Sequence, residues 1–311
     1  MTPRAATTPR NDDDETTMEV FDPQGRVVRV SRDSWRDGVL LPTLEAAKGD
    51  EERLYVIVVA AVSDGFAEAV VPFAEYFART CTSPLRGAGL LGAALIACGR
   101  LDDAGAVLSE ATRDHGEDAI VFCNMARVHE GLNDEEKAGE MLWKALTLDP
   151  NQDFGFAWFL DRSRGKGGHE ATRAACERVA ALEGAWRARV ILASYALKHG
   201  DADSAARLYA EAIAMAPKPV PSDLLLQMSG DLGKAKKLQE LVDRVAPLFD
   251  PKEHDFYAGA NLMKGYLGLD RRDDAQKIFD VLCKEERADW QERLENWRAI
   301  LAAAAPNAPQ A

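Results

Sequence analysis

The ten residues WKALTLDPNQ, 143 to 152, carry an apolar helical run as far as Leu148 and then halt it with Asp-Pro-Asn. Proline lacks an amide proton and disfavours helical geometry in the residue before it, so a helix ends at such a site. Traced backward, this helix begins in NDEEKAGEMLWKAL, where Ala138, Leu142 and Ala145 fall at four- and three-residue steps on one face. A similar stripe of Phe122, Met125, Ala126 and His129 precedes it in AIVFCNMARVHEG. Two short helices joined at GLND therefore form a helical hairpin.

The hairpin recurs. Ala138, early in the second helix, has a counterpart in Ala104, 34 residues upstream, and in Ala69, another 35 upstream. Downstream stand Ala205, after 67 residues, and Ala275, after 70 more; each gap is about two periods of a roughly 34-residue unit. A larger apolar side chain follows each alanine four residues later: Phe73, Leu108, Leu142, Tyr209 and Phe279. First-helix marks agree in part, with Leu91-Gly92, Met125-Ala126, Leu192-Ala193 and Leu262-Met263, and Pro150 and Pro217 stand in a closing position.

Small-then-large spacing in phase over several units resembles the tetratricopeptide repeat family, in its bacterial-type members, over about residues 50 to 289. The best matches are 85 to 118, 119 to 152 and 186 to 219. The resemblance implies an all-α fold: a right-handed superhelical solenoid of about six helix-turn-helix units. Two units depart from the pattern and leave their register open. Residues 153 to 186 carry Thr172 in the alanine position and a glycine-rich RGKGG turn, and 220 to 255 lack a clean first helix. The β-branched run YVIVVAAV has strand propensity, but its phase with the repeat predicts helix, with Pro72 kinking or delaying the helix that follows.

Outside the array, MEVFDPQGRVVRV alternates apolar and polar residues about a Pro-containing turn that ends in glycine, which predicts a small β-hairpin. SWRDGVLLPTLEAA then supplies a short helical entry, so residues 18 to 49 form one segment ahead of the array at 50 to 289. Trp290, Leu294, Trp297 and Leu301 share a stripe in DWQERLENWRAILAAAA, with Glu and Arg opposite. That is the one-sided helix a solenoid needs as a cap, over 290 to 304. Residues 1 to 17 and 305 to 311 read as polar tails.

With 51 acidic against 38 basic side chains, the 311-residue chain has a net charge of -13, the wrong sign for a nucleic-acid backbone. Its five cysteines are widely spaced and odd in number, which suits neither a disulfide framework nor a paired-cysteine zinc site and points to a reducing cytosol. The longest apolar run, LYVIVVAAV, has nine residues and is too short to insert across a bilayer. The five histidines show no zinc-binding spacing, and His129, in an aromatic position of its repeat, reads as a packed core histidine. There is no nucleophile elbow and no Walker loop. Gly167 and Gly168 precede a helix but stand where each repeat has its turn, and the acid clusters Asp102-Asp103, Asp134-Glu135-Glu136 and Asp273-Asp274 each open a second helix, where they complement its dipole. No catalytic group, metal site or cofactor is expected.

In arrays of this family the first helices line a concave groove that grips partners. The resemblance thus implies a binding face made of Ala93 and Ile96; Cys123, Asn124, Arg127 and Glu130; Asp161 and Arg164; Arg187; Val190, Ser194 and Leu197; and Asn261, Lys264 and Leu267. Some members clamp a C-terminal carboxylate with Lys, Asn and Arg. Asn124, Arg127 and Arg187 fall near such positions, but Gly89 and Ala93 replace the first-unit Lys and Asn, so the full clamp is absent. Two readings of Arg127 and Arg164 stay open: they receive an acidic peptide through charge-assisted hydrogen bonds, or they pair with Glu130 and Asp161 across neighbouring units. Trp143 and Trp158 read as core, and Trp186 opens a repeat. The implied function is a cytoplasmic adaptor or scaffold for a protein or peptide partner. The alternatives are a co-chaperone or holdase, an enzyme or small-ligand receptor built on the array, and a self-assembling structural protein.

Overall fold

Strand β1 (Thr17–Phe21) pairs antiparallel with β2 (Val27–Ser31), Met18 opposite Val30, in a computed structural model that describes residues 16–21 and 26–304. The expected hairpin is present, beginning at Thr17 within the segment expected as a tail. Most of its expected turn, the rest of that tail and the tail at 305 to 311 lie outside the described residues. Ser31 then starts a continuous helical entry: α1 (Arg32–Trp35), a π-helical turn (Arg36–Leu40) and α2 (Leu41–Ala47).

The chain divides between Leu148 and Asp149 into two compact units. Three hairpins fill the first: α3 (Glu51–Ser63) with α4 (Ala67–Thr80), α5 (Pro84–Ala97) with α6 (Leu101–His115), and α7 (Ala119–Gly131) with α8 (Glu135–Leu148). The second begins with α9 (Asp153–Ala180), which is broken at Gly167 and Gly168 into the two arms of a hairpin. Gly168 has φ +65° and ψ -146°, a conformation that only glycine adopts without strain. Then come α10 (Trp186–Lys198) with α11 (Ala202–Met215), α12 (Ser222–Lys234) with α13 (Leu238–Val245), α14 (Phe256–Gly268) with α15 (Arg272–Lys284), and α16 (Gln291–Ala303). YVIVVAAV is helical, as its phase predicts, within α3. Among the described residues no helix is long and apolar enough to cross a membrane.

Side-chain caps start many of the first helices. Asp50 accepts the Arg53 amide, Ser83 that of Arg86, Asp118 those of Ile120 and Val121, Gln152 that of Gly155, and Asp255 that of Tyr257. Each supplies an acceptor to an end that would otherwise leave amides unpaired.

Burial corrects the register at one end and supplies it where it was open. In α6, α8, α11 and α15 the fourth residue is the buried alanine expected: Ala104, Ala138, Ala205 and Ala275. In α4 the fourth residue is Val70, fully buried with Ala74 one turn on, whereas Ala69 is only half-buried. Valine has taken the small-residue position, so the pair Ala69 and Phe73 is one residue out of phase. Thr172 is buried in the alanine position of the second arm of α9, with Cys176 four residues later, and Leu241 with Val245 does the same in α13. The series Val70, Ala104, Ala138, Thr172, Ala205, Leu241 and Ala275 steps by 34, 34, 34, 33, 36 and 34 residues. Twelve residues before each stands a buried first-helix residue: Val58, Gly92, Ala126, Leu160, Ala193, Ser229 and Met263. A Cβ on Gly92 would lie 2.7 Å from Leu108 Cδ2, so glycine lets α5 and α6 approach closely.

Two further expectations change. Pro72 does not delay α4, which starts at Ala67 and runs through the proline at an exposed position. The unit 220 to 255 does have a full first helix, α12, and its irregular part comes later, from Ala246 to Asp255. Among the described residues seven hairpins stand where about six were expected. Trp290, Leu294 and Trp297 bury the inner stripe of α16, as the capping pattern predicts.

Candidate functional site

The predicted binding residues divide by what they touch. Asn124 is 7% exposed and acts between units, its Nδ2 donating to the Gly89 carbonyl of α5 at 3.0 Å and its Oδ1 accepting from Arg127 Nη1 at 3.2 Å. Arg127 is half-buried, and desolvation lowers its pKa, with the Glu130 charge acting in the opposite direction. Asn261 Nδ2 donates to Ser229 Oγ at 3.0 Å, from α14 to α12. Gln227, which the sequence reading did not single out, donates from α12 to Ser194 Oγ of α10 at 3.3 Å.

These three amides occupy one position, two residues before the buried first-helix residue. Each reaches back to the preceding first helix, so the position works as a tie between units. The signal was in the sequence: Asn124, Gln227 and Asn261 share a phase once the register is right. Ser194 adds a second bond from the same neighbourhood. Its hydroxyl donates to Asp231, which also accepts from Gln227 Nε2 at 2.8 Å and from the Tyr209 hydroxyl at 3.2 Å. Burial, with the Asp231 charge, pushes the Tyr209 phenol well above its ordinary range.

Arg187 ties three units of the second half together. Its amide and Nε bond Asn151 Oδ1 and the Asn151 carbonyl at 3.0 and 2.9 Å, and Nη1 reaches Asp153 at 3.2 Å and Asp223 at 2.5 Å. Asp161 and Arg164 face each other within α9, at 3.9 Å and largely exposed. Glu130 and Lys264 are exposed on α7 and α14.

Asp161, Arg164 and Arg187 come together. With Asp153, Phe154, Phe156, Ala157, Trp158, Leu160 and Ile191 they line an open cleft of about 570 Å³ between the first arm of α9 and α10. Phe154 is 57% exposed, and its ring lies 5.9 Å from that of Trp158, which carries the Arg162 guanidinium at 5.7 Å. Trp158 is half-buried and lines this surface, where the sequence reading placed it in the core. Trp186, at the head of α10, is buried.

A second open pocket, of about 720 Å³, lies between the second arm of α9 and the α10–α11 hairpin, lined by His169, Arg173, Leu192, Tyr195, His199, Arg207 and neighbours. The Tyr195 hydroxyl donates to the His169 carbonyl at 3.2 Å, and the His199 ring stacks on Tyr195 at 5.3 Å. Arg173 and Arg207 bond Glu177 and Glu211, each at 2.8 Å. The sequence reading did not identify this grouping, because its two histidines are 30 residues apart.

Two further histidines lie outside both pockets. His129 is half-buried, 3.9 Å from Asp134, and not the core residue expected. The buried one is His254, whose Nε2 meets the Val220 carbonyl at 2.8 Å while Nδ1 accepts the Asp250 amide at 2.8 Å. Among the described residues no group of three or more His, Cys, Asp or Glu side chains could hold a metal ion.

Residues 119–152, the α7–α8 hairpin with its closing turn, match the model of the tetratricopeptide repeat family. No curated protein matches the chain. Among solved structures, it is similar to a tetratricopeptide repeat protein from Parabacteroides merdae ATCC 43184, at 16% identity over 81% of this chain and 98% of that one, with a TM-score of 0.35. Yeast Tom70 is similar at 15% identity over 81% of this chain and 60% of that one, TM-score 0.40. The APC/C hetero-tetramer Cut9-Hcn1 is similar at 15% identity over 79% of this chain, TM-score 0.37, and the chain spans 49% of the length matched there.

Proposed function

We propose that this tetratricopeptide-repeat chain is a non-catalytic adaptor that docks a protein or peptide partner on the face of its first helices, at the cleft between α9 and α10. One observation carries the reading. The cleft joins an aromatic pair, the exposed Phe154 and the half-buried Trp158, to the charged residues Asp161, Arg164 and Arg187. Aromatic side chains and arginine in a concavity supply most of the binding energy at protein interfaces.

Ser194, Asn261 and Arg187 support that face by tying consecutive repeats of the second half, as Asn124 ties α7 to α5 in the first. Substituting them would weaken binding through the fold, so they make poor probes of contact. A photo-crosslinking residue at Phe154 gives a direct test, with one at Asp102, on the second helix α6, as control. The partner is expected to crosslink from position 154 and not from 102. Equal crosslinking from both positions refutes docking at the cleft.

A holdase reading has one observation in its favour, the exposed Val56 and Val59 on α3. It requires suppression of aggregation of an unfolding client, lost in Val56→Asp plus Val59→Asp.

A further inference from the structure

The chemistry of the partner is legible in how the charges of the cleft are used. Arg187 is held by two carboxylates, Asp153 and Asp223, besides its bonds to Asn151. Arg164 faces Asp161, and the Arg162 guanidinium rests on the Trp158 ring. Of these ion pairs, the carboxylates are the more exposed partners, against 22% for Arg187 and 58% for Arg164. The side chains of Asp153 and Asp161 are 84% and 78% exposed, and each meets one arginine. A carboxylate offers about four acceptor sites, so most of that capacity faces solvent.

Between them on the same helix stand Phe154 and Trp158, and Ile191 faces them from α10. The net charge of -13 sets the same sign over the molecule as a whole and draws cations toward a concave surface. Trp158 already receives one guanidinium, and an aromatic face attracts a second cation by the same quadrupole.

Resting on the docking reading above, we propose that the segment bound in this cleft is basic: an extended peptide whose apolar side chain packs on Phe154, Trp158 and Ile191, with lysine or arginine on either side facing Asp153 and Asp161. The spacing follows from the helix. Eight residues separate the two aspartates, about 12 Å at 1.5 Å per residue. An extended chain covers about that distance in four residues. The recognition element is therefore a basic residue, an apolar residue two positions on, and a second basic residue two positions beyond.

The test uses the full chain and two fluorescein-labelled probe peptides, one with the core Lys-Gly-Trp-Gly-Lys and the other with glutamate in place of both lysines. Fluorescence anisotropy at low salt gives Kd for each. The lysine probe is expected to bind at least ten-fold tighter than the glutamate probe. Asp153→Asn plus Asp161→Asn should weaken it about ten-fold, the loss of two exposed ion pairs, and leave the melting temperature unchanged because Arg187 keeps Asp223. Phe154→Ala should weaken both probes. Asp102→Asn plus Glu117→Gln, which removes the same charge from residues outside the cleft lining, should stay within two-fold of the parent chain.

Tighter binding of the glutamate probe, lost in Phe154→Ala, overturns the basic partner while leaving the cleft as the docking site. A lysine probe indifferent to Phe154→Ala, or weakened equally by the control pair, overturns the proposal and removes the cleft as well. Absence of binding by either probe overturns the proposal and leaves the docking face to the crosslinking result.

Discussion

Replacing Asn124 with alanine tests whether polar residues of the first-helix face hold the units together. The side chain is nearly buried and makes two bonds, to the Gly89 carbonyl at 3.0 Å and from Arg127 at 3.2 Å. Gly89 lies inside α5, where the helical ladder also uses its carbonyl, so losing the amide removes a net bond worth about 1 kcal/mol. The half-buried Arg127 guanidinium loses an acceptor, adding about 1 kcal/mol more, since bonds to charged groups sit at the upper end of the range. The sum of about 2 kcal/mol corresponds to a fall of roughly 4–8 °C in Tm for a cooperative unit of this size. Circular dichroism melts give the shift, and hydrogen exchange should place the lost protection in α5 and α7. Lys264→Ala, on the same face but exposed, should stay within about 1 °C, as surface substitutions do. The reasoning fails if Asn124→Ala melts with the parent chain, or if Lys264→Ala falls as far.

The corrected register is tested by pairing Val70→Ala with Ala69→Ser. Val70 is fully buried and its truncation should cost about 2 kcal/mol in denaturant melts, while the half-buried Ala69 should cost under about 0.5 kcal/mol; the reverse order would restore the alignment on Ala69. Burial pushes the Cys176 thiol up to about 12, so at pH 8 iodoacetamide should label the half-buried Cys283 more than ten-fold faster, as read by mass spectrometry of the digests. Hydrogen bonds from Arg207, then Arg189, lower the Glu211 pKa on folding. Their stabilisation is therefore present above the unfolded carboxylate value of about 4.3 and lost as pH falls through the lower folded one. The Tm should fall from pH 5 to pH 3, and by less in Glu211→Gln; identical slopes would remove Glu211 from the acid response.

Much of the fold was legible because its signals are local. A proline stop, an acidic cluster at a helix start and a 34-residue phase need no tertiary knowledge, and they place α7 and α8 closely. The lapses of register share one cause. The pattern asks for a small residue where helices cross, but the crossing selects for fit, and Val70, Thr172 and Leu241 fill that position in units whose partner helices accommodate them. A search for alanine slips in α4 and loses α13. The binding face was less legible, because a polar residue on an inner helical face reads the same in sequence whether it bonds the next helix or faces solvent. Only the geometry separates Asn124 and Asn261, which bond the preceding unit, from Asp161 and Lys264, which remain exposed.

That separation also gives a physical reason for where the cleft lies. The tie position runs Val56, Leu90, Asn124, Trp158, Ile191, Gln227 and Asn261 along the chain. An amide there reaches back and closes the space between consecutive first helices, and at Leu90 the side chain is buried and closes it by packing. Among the described residues of the second unit, Ile191 carries neither device. Ile191 has no donor with which to reach α9 as Gln227 reaches α10, and with Trp158 it lines the open cleft. If this is the cause, Ile191→Gln should narrow the cleft by supplying an amide in the position that Gln227 and Asn261 occupy. It should raise the Tm, weaken binding at Phe154, and leave the α12–α14 tie through Asn261 unchanged. A variant that binds as tightly as the parent chain would show that the missing tie does not make the site.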